Sequence, residues 1–246
     1  MRSRHAAHMR VLLVHCDARP FEMPRFGEAW AAAGGDPSEL VAVTPLTAPG
    51  VLAGGRAWHG LLLTGGPDVE PHRYGQVPLP GVSLQLDPTR DALDLALLGR
   101  AETARWPVLA VCYGCQVLAV AAGGALIQDL PSMGLEGHRH TGAPDAIVHT
   151  VRVHDGAAWL PTGAVLGVNS RHHQAVADPG SLQVVATAPD GVIEAVEGRE
   201  ADRFLLGVQW HAEQLAGAPG TGVLRDFRAA CLVTCGENGR DATLAE

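Results

Sequence analysis

The sequence predicts a mixed α/β fold, with a mostly parallel central sheet, helices on both faces and an antiparallel strand extension. Three observations predict it. Strand-like and helix-like segments alternate through the first half of the chain, whereas strand-like segments dominate after Gly123-Gly124. Several first-half strands are continuous apolar runs, as strands buried on both faces must be. The best helical stretch then separates two such runs.

Each element has a local reason. Val11–His15 is a short apolar run suited to a buried strand. Pro24–Ala33 places Phe26, Ala29, Trp30 and Ala33 at helical spacing and ends at Gly34-Gly35. Leu40–Val43 and Gly60–Thr64 read as strands, the second stopped by Gly65-Gly66-Pro67. Pro88–Arg105 reads as a helix, with Pro88 in the first turn and Leu93, Leu97, Leu98 and Ala101 as its apolar stripe. Arg90 and Asp94, one turn apart, are expected to pair on its outside. Pro107–Val111 is a buried strand, and Gly114–Ala122 is apolar nearly all round, so a buried helix is expected. Val148–Val153, Val165–Val168, Leu182–Ala188, Val192–Glu197 and Leu205–Gln209 follow as strands, and Thr221–Leu232 as a closing helix.

Composition narrows the chemistry. All 18 basic residues are arginine. The absence of lysine excludes Schiff-base enzymes, a phosphate-loop lysine and a Ser-Lys dyad. Net charge is −8 and the arginines are scattered, so nucleic acid is not expected as a partner. No apolar stretch of about 18 residues predicts a membrane span. Residues 1–9 read as a disordered lead or expression remnant without signal-peptide character, 10–235 as a single catalytic domain and 236–246 as a flexible tail. A cytoplasmic protein with five reduced cysteines is expected.

The sharpest local feature is Pro107-Val-Leu-Ala-Val-Cys112-Tyr-Gly-Cys-Gln116. A strand runs into a cysteine, and a glycine follows two residues later where a buried helix begins. That pattern suits a nucleophile elbow, in which the helix N-terminus stabilises negative charge on sulfur. An inert cysteine at a strand end fits the same residues taken alone. Downstream, Trp210-His211-Ala-Glu213 ends a strand. Residues two apart on an extended chain share a face, so Glu213 can orient His211 and His211 can take the Cys112 proton. Gly65-Gly66-Pro67 lets backbone N–H groups approach a ligand, and the N–H groups of Gly66 and Tyr113 can form an oxyanion hole.

These stretches together resemble the class I (triad-type) glutamine amidotransferase family, within it the gamma-glutamyl hydrolase and gamma-glutamyl-GABA hydrolase branch. The resemblance runs from about Gly60 to Glu213. It is carried by Gly60-Leu-Leu-Leu-Thr-Gly-Gly-Pro-Asp68 onward to Gly75, Asp87-Pro-Thr-Arg-Asp91, Cys112-x-Gly-x-Gln116 and Gly123-Gly124-x-x-x-Gln128-Asp129-Leu130. Val168-Asn-Ser-x-His-His-Gln174, Ala188-Pro-Asp-Gly-Val-Ile-Glu-Ala195 and Gly207-Val-Gln-Trp-His211 complete it. It implies a flavodoxin-like three-layer sandwich and a Cys112, His211, Glu213 triad. It also implies an oxyanion hole at Gly66 and Tyr113, and gamma-glutamyl binding by Gln116. Asn169, Ser170 and His173 are implied as the wall that holds the alpha-amino and alpha-carboxylate end of the substrate. Three positions depart from the pattern: Tyr113 where the branch often has Arg, Ala212 for the usual proline, and Cys115 for an apolar residue.

The expected function is hydrolysis of a gamma-glutamyl amide through a gamma-glutamyl thioester, with a small-molecule gamma-glutamyl amine as partner and no cofactor. One alternative is a glutaminase subunit delivering ammonia to a separate synthetase. Another is a thioredoxin-like dithiol oxidoreductase, suggested by Cys112-Tyr-Gly-Cys115, although it leaves Trp-His-Ala-Glu unexplained. A non-catalytic binding protein is a third class, disfavoured by the intact Cys-His-Glu set. A homodimer is left open. His138-x-His140 and His172-His173 are read as solvated loop histidines, and no metal is expected.

Overall fold

The computed structural model of the chain describes residues 9–18, 22–53, 55–138, 142–200 and 202–244, with side chains to residue 236. Most of the expected lead, 1–9, lies outside these, but Met9 is buried in the core. The tail expected at 236–246 falls largely on residues whose side chains are not described, while the backbone continues a helix to Leu244.

Five strands form a parallel block: β1 (Val11–Val14), β2 (Leu40–Val43), β3 (Gly60–Leu63), β4 (Val108–Val111) and, last in the chain, β11 (Leu205–Val208). Their order is β2-β1-β3-β4-β11. Their apolar runs are continuous because each side of the sheet is covered. Leu13, Leu62 and Leu109 face one core layer, with Phe26 and Trp30 of α1 (Glu22–Ala32) and Phe227 of α5 (Val223–Leu244). Leu12, Leu61, Leu63 and Ala110 face the other, with Leu97 of α3 (Pro88–Thr103) and Leu118 of α4 (Tyr113–Ala121). A further short helix, α2 (Ala48–Leu52), follows β2.

Beyond β11 the sheet turns antiparallel, through β10 (Ile193–Glu197), β9 (Gln183–Thr187), β6 (His149–Val153) and β7 (Val165–Val168). β8 (Ala175–Asp178) pairs with β10 and with β5 (Ala125–Ile127). The α/β three-layer expectation therefore holds, extension included. In such a sheet the strand order reverses beside β1, and ligands bind at the carboxyl ends of strands near that switch point. The loops after β3, β4 and β11 meet there. No helix of the described residues is long and apolar enough to cross a membrane.

One local expectation is corrected. Arg90 and Asp94 do pair, at 2.8 Å, but both side chains are wholly buried rather than outside. The α3 face carrying them packs against β1, where Arg90 also donates to the Val14 carbonyl and the Cys16 sulfur. Burial pushes the Asp94 carboxyl up to about 6 against the pull of Arg90, so the pair only partly offsets its desolvation. Arg90→Met leaves Asp94 buried without its cation. A loss of about 3–5 kcal/mol in unfolding free energy is expected by chemical denaturation, and a loss under 1 kcal/mol would show that the site tolerates the lone carboxyl.

Candidate active site

β4 ends at Cys112, whose N–H donates to the Val208 carbonyl at 2.8 Å. Its backbone takes φ 54° and ψ −109°, a left-handed conformation that a non-glycine residue adopts only when its surroundings force it. Gly114 is part of that surrounding. A Cβ there would stand 2.7 Å from both Cβ and O of Leu63, so only glycine lets α4 start hard against β3. Cys112 thus caps α4, at the positive end of the helix dipole.

The Tyr113 ring lies flat against Gly66, where an added Cβ would come within 2.7 Å of it. Its hydroxyl donates to buried Asp91, and the Arg90 guanidinium sits 5.1 Å from the ring centre. Burial, together with the charges of Asp94 and Asp91, pushes the phenol up, so Tyr113 is a neutral donor. The departure at position 113 is therefore absorbed by Asp91 and Arg90, which the sequence places in the same Asp87–Asp91 segment.

His211 follows β11. Asn169 clamps its backbone from both sides, accepting its N–H at 2.8 Å and donating to its carbonyl at 3.1 Å. The ring Nδ1 stands 2.9 Å from Glu213 Oε1, and the ring also contacts the Cys112 thiol. Glu213 reaches it by a turn, since Ala212–Gln214 is a 3₁₀ helix and not the extended segment expected. Burial opposes a charge on His211, but the charges of Glu213 and Cys112 outweigh it and hold the imidazole well above 6.5. Gly65 leaves room for this ring, because its Cβ would lie 3.0 Å from His211 Cε1.

Two polar groups here were not singled out from the sequence. Gln209, wholly buried, donates through Nε2 toward Cys112 Sγ at 3.8 Å and accepts from Gln116 at 3.2 Å. A polar residue inside the apolar end of β11 is the signal that marks it. Glu22, in the first turn of α1, accepts from Thr64 Oγ1 at 3.2 Å beside the Gly65 loop.

A cavity of about 140 Å³ opens on Cys112, lined by Gly66, Tyr113, Gln116, Arg171, His173 and Asp68 among others. His173 stands between two carboxylates, 2.8 Å from Asp68 and 3.0 Å from Asp129. Those hydrogen bonds push it up despite burial, which favours an imidazolium at the wall. Asn169 and Ser170 do not line this cavity. Asn169 is taken up by the His211 backbone and Pro144, and the Ser170 hydroxyl donates to the His138 carbonyl. Clefts of about 500 and 1000 Å³ lie elsewhere, and neither contains Cys112, so size does not mark the site.

Cys115 belongs to the opposite core layer from Cys112, under Gly207 and Leu118. Burial pushes its thiol up, away from the anion that disulfide exchange requires. Cys115→Ala is expected to lose activity to peroxide at the wild-type rate, and protection of activity in this variant would point instead to an inactivating Cys112–Cys115 disulfide formed on oxidation. The expectation of solvated loop histidines is also corrected: His138 and His172 are 2% and 4% exposed. His140 lies outside the described residues.

Known proteins resemble this chain. A family model described as Peptidase C26 matches residues 28–213. Protein NtpR of Enterococcus hirae is 37% identical over 158 residues, 62% of this chain and 66% of that protein. The gamma-glutamyl-gamma-aminobutyrate hydrolase PuuD of Escherichia coli K12 is 39% identical over 167 residues, 63% of each. These matches span less than two thirds of the relatives' length. A crystal structure of a glutamine amidotransferase from Thermotoga maritima aligns with a TM-score of 0.56 at 15% identity, over 94% of this chain and 95% of that one, a likeness of fold.

Proposed function

Because the chain belongs to the Peptidase C26 family, within the class I glutamine amidotransferase-like group, we propose that it hydrolyses a gamma-glutamyl amide, releasing glutamate and an amine. The observation that carries this reading is Cys112 on its strained elbow, with the His211 ring in contact and Glu213 behind that ring.

The thiolate of Cys112 attacks the gamma carbonyl carbon. Negative charge moves to the carbonyl oxygen, where the N–H groups of Gly66 and Tyr113 receive it. Imidazolium His211 protonates the nitrogen as the C–N bond breaks, leaving a gamma-glutamyl thioester. Neutral His211 then takes a proton from water, which attacks the thioester and frees glutamate and the thiolate. Glu213 holds the ring in orientation and supports its charge through both steps. Gln116 and the Arg171 and His173 wall suit an amino-acid head group, with the two cations toward its carboxylate and Asp68 toward its ammonium. The scheme calls on no cofactor, and one catalytic unit over 10–235 suffices for it.

The reading as a glutaminase subunit shares every step at Cys112 and draws on the aromatic at position 113. Glutamate release from a panel of substituted gamma-glutamyl amines and from glutamine separates the two. The hydrolase cleaves substituted amides with no partner added. Turnover of glutamine alone would favour the subunit, and release from neither class would overturn both.

A further inference from the structure

Behind the cavity wall, three histidines converge on one carboxylate. Glu194, in β10, is wholly buried. His138 Nδ1 and His149 Nε2 each stand 3.2 Å from its Oε1, and His172 Nε2 stands 3.6 Å away. The ligand atoms of His138, His149 and Glu194 all lie within 4.8 Å of one another. The four residues come from four separate segments: the 3₁₀ turn Glu136–His138, β6, the loop between β7 and β8, and β10.

These approaches have ion-pair distances without hydrogen-bond direction. Among the described residues, neither Glu194 oxygen, nor His138 Nδ1, His149 Nε2 or His172 Nε2, meets the angular requirement of a hydrogen bond, although the three imidazoles lie close enough to hold the Glu194 carboxyl below its usual range. Buried polar atoms rarely stay without well-directed partners, and a carboxylate approached in this way is a donor set that a cation can fill. The spacing suits one kind of ligand. Tetrahedral zinc at its usual bond lengths of about 2.0–2.2 Å holds donor atoms about 3.3–3.5 Å apart; His138 Nδ1 and His149 Nε2 each stand 3.2 Å from Glu194 Oε1, in a set of three ligand atoms that all lie within 4.8 Å of one another. Two of the outer ring nitrogens fit as well, while His149 Nδ1 has no hydrogen-bond partner among the described residues. His138 Nε2 stands 2.8 Å from Asp190 Oδ2, and His172 Nδ1 stands 2.8 Å from the Gln174 carbonyl. A metal-bound imidazole ordinarily donates its second N–H to a carboxylate or carbonyl in this way.

We propose that His138, His149 and Glu194 bind one divalent transition-metal ion of the zinc type as a structural site, with His172 beside it. Two imidazoles and one carboxylate suit zinc better than calcium or magnesium, which take oxygen ligands. The steps at Cys112 use none of these ligands, so the ion's effect on the neighbouring reaction is mechanical. His172 lines the Cys112 cavity beside His173, and the Gln174 carbonyl that receives His172 also accepts from Gln116. The ion would tie the turn at Glu136–His138 and the cavity wall to the antiparallel half of the sheet.

The test uses the full chain, stripped with a chelator and titrated with zinc by calorimetry and with cobalt(II) by absorption. One equivalent is expected. Bound cobalt should give visible bands of tetrahedral type with no thiolate charge-transfer band in the near ultraviolet. The Cys112→Ala chain should bind equally, which separates this site from the Cys112–His211 pair. His149→Ala, at the partly exposed side of the cluster, and Glu194→Gln should each weaken zinc binding by about 100-fold or more, with circular dichroism as the check on folding. Zinc should raise the Tm of the wild type and leave that of His149→Ala unmoved. An absence of cobalt bands in the wild type with metal in excess would overturn the proposal. So would undiminished zinc binding in a folded His149→Ala, or an equivalent that disappears with Cys112.

Discussion

Cys112→Ala is expected to lower kcat for a gamma-glutamyl amide by about 10⁶-fold, to the level left by binding and the oxyanion donors alone. The size follows from geometry. Cys112 is the residue that the β4–α4 turn lifts onto the cavity, and the strain at φ 54° is maintained only to place that side chain. Alanine keeps the backbone and removes the sulfur that bonds to carbon. The fold is expected to survive, since Gly114 against Leu63 and the Tyr113–Asp91 hydrogen bond are untouched. Glutamate release by discontinuous assay, with thermal melting as the control, measures both. Substantial activity in a well-folded Cys112→Ala chain would remove sulfur from the mechanism. A thioester trapped by rapid quench on the wild type, absent in the variant, would place the bond on this residue.

How far the sequence carries this picture depends on what each residue touches. The five parallel strands were legible because burial on both faces writes a continuous apolar run. β5 and β8 were not expected: three and four residues of modest hydrophobicity, paired with each other across a bulge, leave no periodic signal. Within the site, the His211 ring lies against Cys112 and Glu213, and a 3₁₀ turn does what an extended chain was expected to do. Asn169 shows where motif reading stops. A motif gives the neighbourhood of a side chain but not its direction, and this amide faces the His211 backbone instead of the cavity. The His138, His149, His172 and Glu194 cluster shows the same limit across longer separations. Its members lie on four segments, so no local spacing announces them, and only the sheet brings them to one point. Arg90 and Asp94 were paired correctly by helical spacing, but the spacing could not tell an inner face from an outer one.

Glu213→Gln is expected to reduce kcat by about 10⁴-fold while changing KM little, because the carboxylate acts on His211 and not on substrate. Two pH dependences distinguish this from a merely structural loss. In the wild type, Glu213 and Cys112 hold His211 well above its ordinary value, which extends the imidazolium needed to protonate the leaving amine to higher pH than an ordinary histidine would. Glutamine removes one of those charges while burial continues to oppose the cation, so the alkaline limb of kcat should move to lower pH. Stability should follow the same proton. A histidine whose folded value exceeds its unfolded value adds stability below about pH 6.5, and that contribution fades as pH rises through the folded value. The Tm deficit of Glu213→Gln should accordingly be largest near and below about pH 6.5 and shrink as pH rises through the folded value of His211. A deficit independent of pH, or an alkaline limb that stays in place, would mean that Glu213 braces the turn at Ala212–Gln214 without supporting the charge on His211. The buried oxygen Glu213 Oε2, which has no hydrogen-bond partner among the described residues, sharpens the contrast. A carboxylate kept partly unsatisfied directs its charge at the ring bonded to its other oxygen, and a neutral amide of the same shape cannot replace that charge.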